Sequence, residues 1–284
     1  MRKNSTMTIV TTSAATATLV LIAFFSAHPQ RPLVIYSAPT LAGISDELAR
    51  IANTSIDVQI HGSVFAANLI KSGKTPDLFL SVDSELKSGL NYRGEKLIGV
   101  YRLLLVCAGN YDSLEALKDA KIGIADPNQA PIGYRALAAI YLISLNEGYG
   151  LVEEVERSLN IRYLDGGGPV KMLLQNISAS GRFYMRSNLD FVGSLLEAGV
   201  VDCIFAHVPF VIIRKLYNRY NIIEMPDYAR FEEDPPIEIV AVLRMTQVKI
   251  SRFEAVALSF TEGGDRLLQM IDEIDVEKFG IKAG

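Results

Sequence analysis

Five short stretches set hydroxyl, glycine or imidazole residues where an extended run gives way to helical periodicity. They are Ser37-Ala38-Pro39-Thr40, His61-Gly62-Ser63, the run from Ala130 to Arg135, Arg186-Ser187-Asn188 and Ala206-His207-Val208-Pro209. The first N–H groups of a helix have no partner within it, and the helix dipole puts partial positive charge at the same end. Small residues there suit capture of a compact anion by uncharged donors. Thr40 and Ser63 are candidate hydroxyl donors, and Ile132, Gly133 and Tyr134 are candidate backbone donors. Ser187 offers a further hydroxyl, and His207 a donor whose charge depends on pH. Each junction alone also reads as an ordinary helix cap worth about 1 kcal/mol, and Gly62-Ser63 as a turn. Recurrence of the pattern is what favours a shared site. Arg135, third in its helix start, is expected to face outward or brace the loop rather than meet an anion.

Other chemistries find less support. A nucleophile needs an adjacent base, and the three histidines, His28, His61 and His207, include one in the N-terminal segment. There is no Gly-x-Ser-x-Gly elbow, and Gly166-Gly167-Gly168-Pro169 lacks the Lys-Ser/Thr pair that ends a phosphate-binding loop. No cysteine and histidine cluster has metal-ligand spacing. The sequence therefore reads as a binding protein, not an enzyme, with no cofactor and no metal. A net charge of −4, from 28 basic and 32 acidic residues without a basic block, argues against nucleic acid.

The elements that must position these loops alternate β-rich runs with helical patterns, as in an α/β fold with parallel strands. With 49% apolar residues in 284, the chain can bury a large core. Arg2 and Lys3 precede an uncharged stretch from Ser5 to Ala27, so residues 1–30 read as a signal peptide or N-terminal membrane anchor. A mature domain is expected to begin near Arg31 and work outside the membrane, secreted or tethered. The runs 97–108 and 238–244 are long enough to cross between two lobes. Lobe one would comprise 31–100 and 246–284, and lobe two 105–236, with a two-strand hinge and a ligand in the cleft. Residues 251–273 read as an amphipathic helical ending. Cys107 and Cys203 lie in strand-like runs and read as isolated buried thiols, although an outside compartment would permit a disulfide.

Several stretches together resemble archaeal molybdate/tungstate-binding proteins of ABC transporters, which have the type II periplasmic binding fold. The most specific is ADPNQAPIGYRALAAIYL (125–142), similar to that family's Asn-Pro-Asn-x-x-Pro-x-Gly-Tyr-Arg helix start. Thr40 in SAPTL and Ser63 in HGSVFAANLI match its two hydroxyl loops. GKTPDLFLSVD (73–83), LLEAGVVDCIFAH (195–207) and FTEGGDRLL (260–268) resemble further segments. The resemblance implies a two-lobed α/β fold with a mixed sheet in each lobe. It also implies an extracytoplasmic, monomeric, membrane-associated partner of an ABC permease that binds molybdate or tungstate. A sensor module of the same fold that takes another small anion without import is the alternative.

The departures concern the ligand. Where the archaeal type presents an aspartate before the motif proline, this chain has Ala130. Where it presents a glutamate, Leu189, Asp190 and Phe191 lie, and Asp190 would serve only in a shifted register. His207 stands for the tyrosine of the late loop. Without those carboxylates the site is not expected to complete six-fold coordination, but hydroxyl and N–H donors would still suit a tetrahedral oxyanion.

Overall fold

The computed structural model describes residues 31–283; the 1–30 segment read as a signal or anchor lies outside them. Among the described residues no helix is long and apolar enough to cross a membrane.

The chain from Leu33 onward forms one compact unit. It opens with strand β1 (Leu33–Ser37), helix α1 (Ala42–Ile51), β2 (Ile56–Ile60), α2 (Ser63–Lys71), β3 (Leu78–Ser81) and β4 (Gly94–Val100). It crosses at Tyr101-Arg102 into β5 (Leu103–Cys107) and β6 (Ile122–Ala125), then α3 (Pro131–Glu147), α4 (Val152–Leu159), β7 (Arg162–Leu164), β8 (Val170–Leu173) and β9 (Phe183–Arg186). Next come α5 (Leu189–Glu197), β10 (Cys203–His207), α6 (Val208–Ile213), β11 (Asn221–Glu224), β12 (Ile239–Val242) and β13 (Gln247–Lys249). It returns through 250–253 to β14 (Glu254–Ser259), α7 (Glu262–Met270) and β15 (Lys282–Ala283).

Lobe one holds a six-stranded sheet ordered β15-β4-β14-β3-β1-β2, and lobe two a five-stranded sheet ordered β11-β5-β10-β6-β9 plus a four-stranded sheet ordered β13-β12-β8-β7. The two principal sheets share one plan. In lobe one β1 lies parallel between β2 and β3, and β14 runs antiparallel beside β3. In lobe two β6 lies parallel between β9 and β10, and β5 runs antiparallel beside β10. In each lobe the antiparallel strand is the one the chain enters by crossing over. Helices leave the carboxyl ends of parallel strands, so three strand ends from each lobe can face a common crevice.

Continuous apolar runs explain the central strands: every residue of Leu78–Ser81 and of Leu103–Cys107 is buried, as for strands covered on both faces. Helix α3 starts with Pro131 at its first position and ends at Gly148 in the left-handed region, φ 66°. Its first fourteen residues are all buried, so it is the central helix of lobe two.

Four expectations need correction. The run 238–244 is no crossing: β12 lies between β13 and β8 in the four-stranded sheet, and the return runs through 250–253 instead. Residues 246–249 accordingly belong with lobe two. The 251–273 segment is not wholly helical, because Glu254–Ser259 is a buried strand between β3 and β4; a short apolar run does not declare its period. Finally, Cys107 and Cys203 are not isolated thiols but form a disulfide. They face each other in the β5–β10 register with Cα atoms 4.1 Å apart, beside the Ala108 N–H to Asp202 carbonyl bond. Sequence gives two buried runs but not their neighbourhood.

Candidate functional site

The strand ends of both lobes meet at a cavity of about 30 Å³. Ala38, Pro39 and Thr40 follow β1, Gly62 and Ser63 follow β2, and Val82 follows β3. From lobe two come Ala130, Pro131 and Ile132 after β6, Asn188 and Leu189 after β9, and His207 at the end of β10. Phe253, from the return crossing, completes the wall. Four of the expected residues, Thr40, Ser63, Ile132 and His207, are thus brought together. Gly133, Tyr134 and Ser187 are not in the wall: Asn188 and Leu189 stand where Ser187 was expected, and Gly133 and Tyr134 lie behind Ile132. At roughly 10–15 Å³ per water, the cavity has room for two or three water-sized groups.

Hydrogen bonding separates residues that cap helices from those left to bind. Asn188 and His207 are true caps: Asn188 Oδ1 accepts from Phe191 N–H at 3.1 Å, and His207 Nδ1 accepts from Phe210 N–H at 3.3 Å. Thr40 and Ser63 cap nothing, and the starts of α2 and α3 carry no side-chain cap. Ser63 Oγ instead accepts from the Val82 N–H at 3.1 Å, which leaves its proton to donate. With Nδ1 accepting, the neutral His207 ring carries its proton on Nε2. Burial holds His207 at a pKa of about 3, so this ring stays uncharged at ordinary pH. Ser63, Asn188 and His207 therefore have donors left over, each with an acceptor already engaged.

Two glycines are needed where backbones approach closely. A Cβ on Gly62 would strike the Gln129 carbonyl of lobe two, and one on Gly133 would strike the Ala125 carbonyl and Pro127. The first lets the loop after β2 reach the loop before α3. The second packs the start of α3 against the end of β6.

Arg135 is wholly buried, which rules out the outward-facing expectation and fulfils the bracing one. Its Nη1 donates to Asp83 Oδ2 at 2.6 Å, and Nη2 reaches the Ser251 and Arg252 carbonyls at 3.4 and 3.3 Å. The Tyr134 hydroxyl also donates to Asp83 Oδ2. Burial opposes the Arg135 charge, but the Asp83 carboxylate outweighs it and holds the guanidinium above its usual value. Helix α3 of lobe two is thus tied to the loop after β3 and to the return crossing, and the cavity wall contains neither cation nor carboxylate. Ala130 lines the cavity without an acid, and Asp190 is bound to Arg214 at 3.0 Å. Among the described residues no group of three His, Cys, Asp or Glu could hold a metal ion. Val82, Asp83 and Phe253 escaped the sequence reading, and Asn188, though named in its junction, was passed over for Ser187. Asn188 followed by Phe191 carried a cap signal, whereas the place of Phe253 depends on where the return crossing runs.

No protein-family model matches the chain, and no curated protein matches it. Solved structures do. The periplasmic molybdate-binding protein of Azotobacter vinelandii aligns over 89% of this chain and 99% of its own at 12% identity, with a TM-score of 0.62. A Clostridium difficile substrate-binding domain, described as belonging to a molybdenum ABC transporter, aligns over the same shares at 12% identity and a TM-score of 0.51. The regulatory domain of HypT from Salmonella typhimurium aligns over 87% of this chain and 96% of its own, at 12% identity and 0.53. At such identities the likeness is one of fold, and the fold is the two-lobed type II periplasmic binding architecture.

Proposed function

We propose that this protein is the extracytoplasmic solute-binding component of an ABC importer and that it closes on a small tetrahedral oxyanion, molybdate or tungstate first. The observation that carries the reading is the convergence of six strand ends on one cavity of about 30 Å³ whose free polar groups are neutral donors. A cavity of that size favours a compact ligand over an extended one. Helix starts without side-chain caps supply partial positive charge from both lobes, so closure brings the donors together around the anion. The seven residues expected from sequence, Thr40, Ser63, Ile132, Gly133, Tyr134, Ser187 and His207, divide on this reading. Thr40, Ser63, Ile132 and His207 hold the anion, Gly133 and Tyr134 hold α3 in place, and Ser187 yields to Asn188.

Hydroxyl and N–H donors do not coordinate a metal centre, so the ligand keeps tetrahedral geometry. The protein works as a monomer outside the membrane, docking on a permease, and catalyses nothing. Likeness to a regulatory domain supports a second reading, a sensor that uses the same cavity without import. Calorimetric titration of the purified protein with molybdate, tungstate, sulfate and phosphate tests the ligand. Saturable molybdate or tungstate binding is expected, and silence towards all four overturns the oxyanion reading. Loss of cellular oxyanion uptake on deleting the gene separates importer from sensor.

A further inference from the structure

Among the described residues four buried side-chain polar atoms have no hydrogen-bond partner: Tyr101 Oη, Arg102 Nε, Arg135 Nε and Ser251 Oγ. All lie in the two crossings or on a residue bonded to them. An unpartnered buried donor is destabilising, so such groups invite a functional explanation. Tyr101 is the one whose ring packs on two residues of the cavity wall. It sits in the first crossing, its N–H donating to the Phe253 carbonyl of the second at 2.8 Å, and it is 1% exposed. Its ring stacks on His207 with centroids 5.2 Å apart and meets Phe253 edge-on at 5.3 Å. Both neighbours line the cavity. Burial pushes the Tyr101 hydroxyl well up, so it keeps its proton, and the Thr40 hydroxyl is close enough to moderate that rise without meeting hydrogen-bond geometry.

Resting on the oxyanion reading, we propose that Tyr101 is a positioning residue that donates to Thr40 Oγ1 when an anion draws the Thr40 proton into the cavity. Thr40 lines the wall, and Tyr101 packs its ring on two other wall residues, His207 and Phe253. A hydroxyl that donates becomes a better acceptor, so the anion and Tyr101 strengthen one another's bonds to Thr40. In the ligand-free protein the Tyr101 hydroxyl is a stability cost; in the complex it is an asset.

The test is Tyr101→Phe, alone and in a double-mutant cycle with Thr40→Val, read by calorimetric titration with molybdate and by thermal unfolding without ligand. Tyr101→Phe is expected to weaken molybdate binding about tenfold, from the loss of one hydrogen bond made only in the complex. It is also expected to raise the ligand-free midpoint by roughly 2–10 °C, because an unpartnered hydroxyl is gone. In the Thr40→Val background the tenfold effect should vanish. Affinity within twofold of wild type, an undiminished effect beside Thr40→Val, or a lowered midpoint each overturns the role. Silence of the wild type towards molybdate, tungstate, sulfate and phosphate overturns the oxyanion reading and this role with it. Binding by the wild type with an unaffected Tyr101→Phe variant overturns this role alone.

Discussion

Replacing His207 by Asn should remove a specific part of the protein's acid sensitivity. In the fold the imidazole is wholly buried among Tyr101, Phe210 and Phe253, and burial lowers its pKa from 6.5 to about 3. The unfolded chain takes up a proton near pH 6.5 that the native state refuses, so stability is lost as pH falls from there towards 3. The loss amounts to about 2 kcal/mol between pH 7 and pH 5, and about 4 kcal/mol once pH 3 is reached. Asn keeps an acceptor for the Phe210 N–H and is a good cap, but does not titrate. Thermal unfolding at pH 7 and pH 5 measures the difference. The wild type should lose about 4–8 °C more than His207→Asn over that interval. His61, also lowered by burial, remains in both proteins and cancels. Equal losses in the two proteins would refute a buried neutral His207.

Two further perturbations follow from contacts outside the wall. Replacing Cys107 and Cys203 together by Ala opens a loop spanning 96 residues and should cost roughly 3–5 kcal/mol, read as a lower urea midpoint that matches reduced wild type. Asp83→Asn leaves the Arg135 guanidinium buried without its counter-charge and should cost about 3–5 kcal/mol in the same assay, whereas a loss under 1 kcal/mol would mean that the pair bears little on stability.

Much of the site was legible because it depends on local chain events. A strand that ends in small residues before a helix declares both elements and the junction, which is how Thr40, Ser63, Ile132 and His207 could be singled out before their meeting was known. The motif from Asp126 to Arg135 carries its own geometry: Asp126 Oδ1 accepts from Asn128 N–H at 2.9 Å, Pro131 starts the helix, and Gly133 permits the approach to Ala125. What stayed hidden depends on pairing between distant segments. β14 looks like a helix in its own sequence because only β3 and β4 make it a strand. The disulfide needs β5 beside β10, and the burial of Arg135 needs Asp83, fifty-two residues away, to come from the other lobe. Tyr101 and Phe253 belong to the crossings, whose route no local pattern marks.

Three of the four polar side chains of the cavity wall have an acceptor already engaged, and this has a consequence for selectivity. Asn188 Oδ1, His207 Nδ1 and Ser63 Oγ already accept from Phe191, Phe210 and Val82. What remains to meet a ligand is the Ser63 and Thr40 hydroxyls, the His207 Nε2–H, the Asn188 amide N–H groups and the helix-start N–H groups. A fully deprotonated oxyanion presents acceptors only and can satisfy each donor. Phosphate near neutral pH retains a proton, and once the Thr40 oxygen accepts from Tyr101 that hydroxyl is buried facing donors, with no side-chain partner. An unpaired buried donor costs about 1–3 kcal/mol, which corresponds to roughly 5- to 150-fold weaker binding. Molybdate and sulfate should therefore outcompete phosphate by that factor at pH 7 in competition titrations. Phosphate bound as tightly as sulfate would mean that a wall carbonyl accepts, and that the cavity discriminates by shape rather than by proton count.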